Sequence, residues 1–134
     1  MDDKEETIEK VIGVISDTHS LLRPAAVEAL RGVDLILHAG DVGSPDVLET
    51  LKGIAPIFAV RGNNDKGEWA KELPHWEVAE VGVVYIYIIH DLKEMDLSPA
   101  AAGFQVVLSG HSHKPSVEEH KGILLFSLAF AQST

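Results

Sequence analysis

Short apolar runs alternate with helix-like stretches along the first half of this chain, and each apolar run stops at polar residues. Residues 11–15 form a mostly β-branched run that ends at Ser16 and Asp17, which predicts a first buried strand. Residues 35–37 predict a second strand that delivers His38, Gly40 and Asp41, and residues 57–60 a third that delivers Arg61 to Asp65. Between them, Pro24 opens a helix that Gly32 ends, and Ser44-Pro45 opens a second helix that runs to Gly53. A β-α-β-α-β order predicts parallel strands joined by crossover helices.

The pattern then changes. Residues 66–74 read as a polar loop containing Trp69. Residues 76–80 and 83–89, on either side of Val81-Gly82, predict a hairpin whose second arm ends at His90. Ser98-Pro99 opens a short helix of alanines, and residues 106–108 predict a strand delivering Gly110 to His113. Residues 116–120 and 123–126 flank Lys121-Gly122, a second hairpin signal. The expected α/β architecture is two packed sheets with helices outside, parallel in the first half and more antiparallel in the second. Residues 1–10 mix both charges with few apolar residues and read as an N-terminal tail, leaving residues 11–134 as a single domain.

Composition narrows the function classes. The 134 residues carry 21 acidic against 11 basic side chains, a formal net charge of −10. Such a surface opposes a phosphate backbone, so nucleic acid is disfavoured as a partner. The absence of cysteine excludes disulfides, thiolate metal sites and cysteine nucleophiles, and fits a reducing compartment. The start lacks the apolar stretch of a signal peptide, and the apolar runs at residues 81–89 and 123–131 are too short to span a bilayer. A soluble cytoplasmic protein, with no membrane partner, is the expectation.

Asp17, His19, Asp41, Asn63, His90, His111 and His113 all fall at strand ends, and all offer oxygen or imidazole donors. Any one of them alone is a weak signal, because Asp-x-His and His-x-His arise by chance. Their recurrence at five strand ends is the stronger one. Two carboxylates, one amide and four imidazoles exceed what a single ion can hold and suit two adjacent divalent ions. Asp41 is the candidate bridge, since the second strand should be central. Two divalent ions against two carboxylates would leave the pocket positive and attractive to a small phosphate anion.

The ordered set Asp17-x-His19, Gly40-Asp41, Gly62-Asn63, His90 and Gly110-His111-x-His113 resembles the motifs of calcineurin-like metallophosphoesterases, in particular the small bacterial and archaeal phosphodiesterases of that superfamily. The resemblance implies a four-layer α-β-β-α sandwich of two mixed sheets flanked by helices. It implies that Asp17, His19 and His113 hold one ion, that Asn63, His90 and His111 hold the other, and that Asp41 bridges them. Manganese is the first expectation, with nickel, iron or zinc as alternatives. The activity implied is hydrolysis of a small phosphate ester by a metal-bridging hydroxide, formed from water whose pKa falls to about 7 in such sites.

Four positions depart from the family pattern. Asn64 stands where many members carry a general-acid histidine, so esters with good leaving groups, and diesters above alkyl monoesters, are expected to react best. Asn64, together with Asp65 as an acceptor orienting the turn, is assigned to the catalytic loop. Asp91 stands where glycine is usual, as a partner to the ligands or an extra carboxylate. Ser20 replaces a glycine or asparagine, and the ending at residues 126–130 lacks the usual Asn-Pro-Gly-Ser. The altered ending keeps open an alternative: a non-catalytic protein-interaction module resembling the retromer subunit of this fold. The last apolar strand could also pair two copies as a homodimer. His38 reads as a half-buried strand histidine, His75 and His120 as solvent-facing, and Trp69 and Trp76 as packing under a loop.

Overall fold

The computed structural model describes residues 10–112, 115–120 and 122–128. Three strands, β1 (Ile12–Ile15), β2 (Leu35–His38) and β3 (Ile57–Ala59), form a parallel sheet in the order β1-β2-β3. Two helices make the crossovers, α1 (Pro24–Ala29) and α2 (Pro45–Lys52). Each has its proline in the first turn, where a missing N–H leaves no bond unmade. The acidic Asp46 and basic Lys52 sit at the ends of α2 that suit the helix dipole.

The other five strands form a second sheet in the order β4-β5-β6-β8-β7. They are β4 (Trp76–Val81), β5 (Val84–Ile89), β6 (Val106–Ser109), β7 (Ser116–His120) and β8 (Ile123–Ser127). The two hairpins, β4–β5 and β7–β8, are antiparallel, as their turn sequences predict. The expected shift toward antiparallel pairing is only partial, because β6 pairs in parallel with both β5 and β8. The β5–β6 pairing follows from the crossover through α3 (Pro99–Ala102), which returns the chain to the same end of the sheet, and the β7–β8 hairpin folds β8 in beside β6.

Three apolar clusters stack into four layers. Ile15 and Ile36 of the first sheet meet Ala26 and Leu30 of the α1 segment and Val47 and Leu51 of α2. Val47 and Leu51 lie one helical turn apart, so they share a face, and both are buried. Burying each stabilises by roughly 1.5–3 kcal/mol. Leu37, Ala39 and Val60 meet Ala79, Ile86, Ile88 and Leu108 between the sheets. Tyr87, Ile89, Val107 and Ile123 form the outer face of the second sheet, covered by Met95 and Phe104 from either side of α3. Leu37 and Ile36 are neighbours in β2 yet point into different clusters, the period-2 alternation of a strand buried on both faces.

Residues 66–74, expected as loop, include a 3-10 turn over Glu68–Glu72. Trp69 and Leu73 anchor it by packing on the helix-side cluster. Trp76 instead stacks on Tyr87 at 5.7 Å on the outer sheet face and stays about half exposed. His75 and His120 are exposed. No helix among the described residues is long and apolar enough to cross a membrane.

Candidate metal centre

The site lies where β1, β2, β3, β5 and β6 end, as strand-end sites in α/β sheets do. Pairing between the first two strands continues past their ends. The N–H of Asp17 donates to the Gly40 carbonyl (2.8 Å), and that of His19 to the Asp41 carbonyl (3.0 Å). The Asp17–His19 loop therefore lies alongside the Gly40–Asp41 loop. Asp17, His19, Asp41 and His111 all have positive φ, between 48° and 68°, a conformation L-residues avoid. Four such residues at one strand-end cluster mark strain held in place by the surrounding bonds.

Asp17, Asp41 and His90 are buried, and one ligand atom of each lies within 4.8 Å of the others. The His90 ring is oriented by its Nδ1, which donates to the Ala39 carbonyl at 2.7 Å. Its Nε2 then faces three oxygens: Asn63 Oδ1 at 3.0 Å, Asp41 Oδ2 at 3.4 Å and Asp17 Oδ1 at 3.9 Å. Three acceptors around one imidazole nitrogen need a cation among them, either a proton or a metal ion. The donor set therefore fits a divalent ion. His19 Nε2 reaches in from a half-exposed position, 3.8 Å from both Asp17 Oδ1 and Asp41 Oδ2. His111 packs its ring edge-on against His90 (centroids 5.1 Å), and its backbone N–H donates to Asp17 Oδ2 at 3.3 Å. Five of the seven candidate ligands thus bring donor atoms together, and the ring of His111 packs beside them. The seventh, His113, lies outside the described residues.

Burial opposes ionisation of Asp41, but hydrogen bonds from His90 and the Asn64 backbone outweigh it and hold the carboxyl well below the usual range. For His90 burial works against the cation, and the bonds to Asp41 and Ala39 with the charges of Asp41 and Asp17 raise its pKa. Both shifts arise from the same Asp41–His90 pairing.

Asn64 and Asp65 both turn toward the Asp41 loop. Asn64 grips the proposed bridge: its backbone N–H donates to Asp41 Oδ1 (2.8 Å) and its side-chain amide to Asp41 Oδ2 (3.0 Å). Asp65 is buried and accepts from four backbone N–H groups, those of Asp41, Val42, Gly43 and Gly62, at 2.9–3.2 Å. Its oxygens are taken up in this way, so Asp65 positions two loops. Gly62 permits this junction, since a Cβ there would collide with Asp41 N and Oδ1.

His38 is fully buried rather than half-buried. Its Nδ1 accepts from the Gly40 N–H (3.1 Å), which leaves the proton on Nε2 to donate to Thr18 Oγ1 (3.1 Å). Thr18 in turn donates to the Val42 carbonyl at 2.7 Å. Desolvation by burial, with help from the nearby His90, pushes the His38 pKa down to about 3, so the ring is neutral. Ser16 donates to Asp17 Oδ2 at 2.6 Å. Thr18 and Ser16 were not singled out from sequence. Their one signal is position, immediately beside the ligand aspartate. Asp91 Oδ2 lies 3.7 Å from His111 Nε2.

Comparison with known proteins agrees with this geometry. Residues 11–128 match the calcineurin-like phosphoesterase superfamily domain. A probable metallophosphoesterase of Methanothermobacter thermautotrophicus is 36% identical over 129 residues, covering 87% of this chain and 74% of that protein. The solved structure of an archaeal phosphodiesterase superposes with a TM-score of 0.71 at 27% identity, over 87% of this chain and 81% of its own. Vps29 from Entamoeba histolytica shares the fold with a TM-score of 0.71 at 20% identity, over 92% and 77%. The strand-end cluster and the match across 118 residues together place this chain in the calcineurin-like phosphoesterase superfamily.

Proposed function

We propose that this chain is a dinuclear metal-dependent phosphodiesterase. The observation that carries the reading is the convergence of Asp17, Asp41 and His90, with Asn63, His19 and His111 around them. Asp17, His19 and His113 would hold one ion, and Asn63, His90 and His111 the other, with Asp41 between. Manganese is the first choice, and nickel, iron or zinc also suit these donors. When bound, the ions would supply Lewis acidity at the phosphoryl oxygens and a water acidic enough to lose a proton near neutral pH.

The chain's own residues set the rest. Asn64 fixes both oxygens of Asp41, and Asp65 fixes the loop carrying it, so the centre is preorganised. Neither can give a proton to a leaving alkoxide. Esters whose leaving group is stable as an anion should therefore react fastest. A small phosphate ester is the substrate class, and the acidic balance of the chain disfavours nucleic acid.

The test combines metal analysis with two substrates. Two bound ions per chain, and turnover of bis-(p-nitrophenyl) phosphate at least tenfold faster than of glycerol phosphate, are the expected results. Equal rates on the two would remove the leaving-group argument. No ion and no turnover would favour a protein-interaction module on the same fold.

A further inference from the structure

A second concavity adjoins the centre, on the outer face of the five-stranded sheet. Its volume is about 390 Å³, within the range of about 300–1,000 Å³ typical of small-molecule sites. Strand register explains its lining. Ser109 of β6, Ser127 of β8 and Ser116 of β7 are direct cross-strand partners, so their side chains form one row on one face. Ser112 joins that row, its hydroxyl 3.0 Å from that of Ser127. One pleat further in, Val107, Leu125 and Glu118 form a second row by the same register. All seven line the cavity.

The cavity has two further walls. One is the segment after β5, with Asp91 and Lys93; the other is Gly110–Ser112, which includes His111. His111 belongs to both sites, with its ring against His90 of the metal centre and also lining this cavity. A substrate whose phosphorus lies at the centre could therefore pass a substituent over His111 into it.

Four serine hydroxyls with two carboxylates, Asp91 and Glu118, above a floor of Val107 and Leu125, suit a group with several hydroxyls on a short carbon frame. Serine both donates to and accepts from an alcohol, and a carboxylate accepts from one, while the apolar floor takes the carbon face. We propose that this cavity is a subsite for a polyhydroxylated alcohol substituent of the phosphodiester. The proposal rests on the phosphodiesterase reading for the placement of the phosphate, and it adds the class of alcohol recognised.

The probes are glycerol 1-phosphate and n-propyl phosphate, which share the phosphate and the three-carbon frame and differ by two hydroxyls. Their affinities for the manganese-loaded protein are measured by calorimetry, beside the diester assay. Glycerol 1-phosphate is expected to bind at least tenfold more tightly. Ser127→Val and Ser116→Val are each expected to shrink that ratio severalfold, with unchanged circular dichroism showing that the variants fold. Equal affinity of the two probes for the native protein, or failure of glycerol 1-phosphate to bind, overturns the subsite. An undiminished ratio in both valine variants overturns it too. Diester turnover without a glycerol preference would sink the subsite and leave the phosphodiesterase reading standing. A glycerol preference without diester turnover would do the reverse.

Discussion

Asp91 is the residue at which this chain differs most usefully from the family pattern. Its Oδ1 accepts from the Lys93 N–H at 3.1 Å, and this fixes the carboxylate, while Oδ2 lies 3.7 Å from His111 Nε2. A carboxylate on one imidazole nitrogen turns the other toward a metal and raises its basicity. Replacing Asp91 by glycine should weaken binding of the ion on the His111 side by about 10- to 100-fold, the usual cost of losing such a partner. Stepwise metal titration checks this: one ion should weaken and the other stay put, and equal weakening of both would contradict the assignment. Gly62 makes a different kind of demand. A Cβ would meet Asp41 at its nitrogen and its carboxylate together, and neither can yield without breaking the loop. Gly62→Ala should lower stability by about 3 kcal/mol, at the upper end of ordinary single substitutions, and lower metal affinity with it. Thermal unfolding with and without metal reads both effects.

At the scale of elements, the strand ends are held to one another by polar side chains as well as by backbone bonds that extend the ladders. Asp65 ties the β3 end to the β2 end through the N–H groups of Asp41, Val42 and Gly43, and closes its own turn through that of Gly62. Asp65→Ala would leave these donors without a protein acceptor and should cost on the order of 3 kcal/mol or more, measured by urea unfolding. His38 ties the β1 and β2 ends through Thr18 and Gly40. Its neutral ring gives a pH signature. As pH falls below 6.5 the unfolded ring takes a proton that the folded ring refuses until about pH 3, so the unfolded state binds more protons and stability falls. His90 shifts the opposite way, and its contribution is complete below 6.5 and lost only as pH rises through its own raised value. Asp41 contributes stability above its ordinary carboxyl range that is lost as pH falls below it. In metal-stripped protein, the unfolding free energy from urea titration should therefore fall between pH 6.5 and 4 with a limiting slope of about 1.4 kcal/mol per pH unit, and His38→Gln should flatten it. These braces explain what was legible in the sequence. Strand ends, their order and the residues delivered there could be read from apolar runs and glycines, because each is a local pattern. The partners of Asp65, lying 22 to 24 residues back in Asp41, Val42 and Gly43, and the full burial of His38 could not, because both depend on which ends meet. The parallel pairing of β6 with β5 and β8 was hidden for the same reason.

At the scale of the whole molecule, a chain of net charge −10 gathers two buried carboxylates at one point. Self-repulsion and local repulsion both oppose that arrangement, and a divalent cation relieves both, so stability and metal binding should be coupled. At a free manganese concentration 100 times the dissociation constant, the coupling amounts to about 2.7 kcal/mol. For a chain of this size that raises the thermal midpoint by about 10 °C. General screening of the negative surface would also raise the midpoint, but through ionic strength alone. The two causes separate in one experiment. Sodium chloride matched in ionic strength should reproduce only a small part of the manganese effect, because buried pairs are screened much less than exposed ones. Asp41→Asn should remove most of the manganese-specific part and leave the salt-dependent part, since it changes the surface charge little and takes away one of the two buried carboxylates of the cluster. If salt alone gave the full rise, or if Asp41→Asn kept the whole of it, the cation would be acting on the surface and not in the cleft between the strand ends.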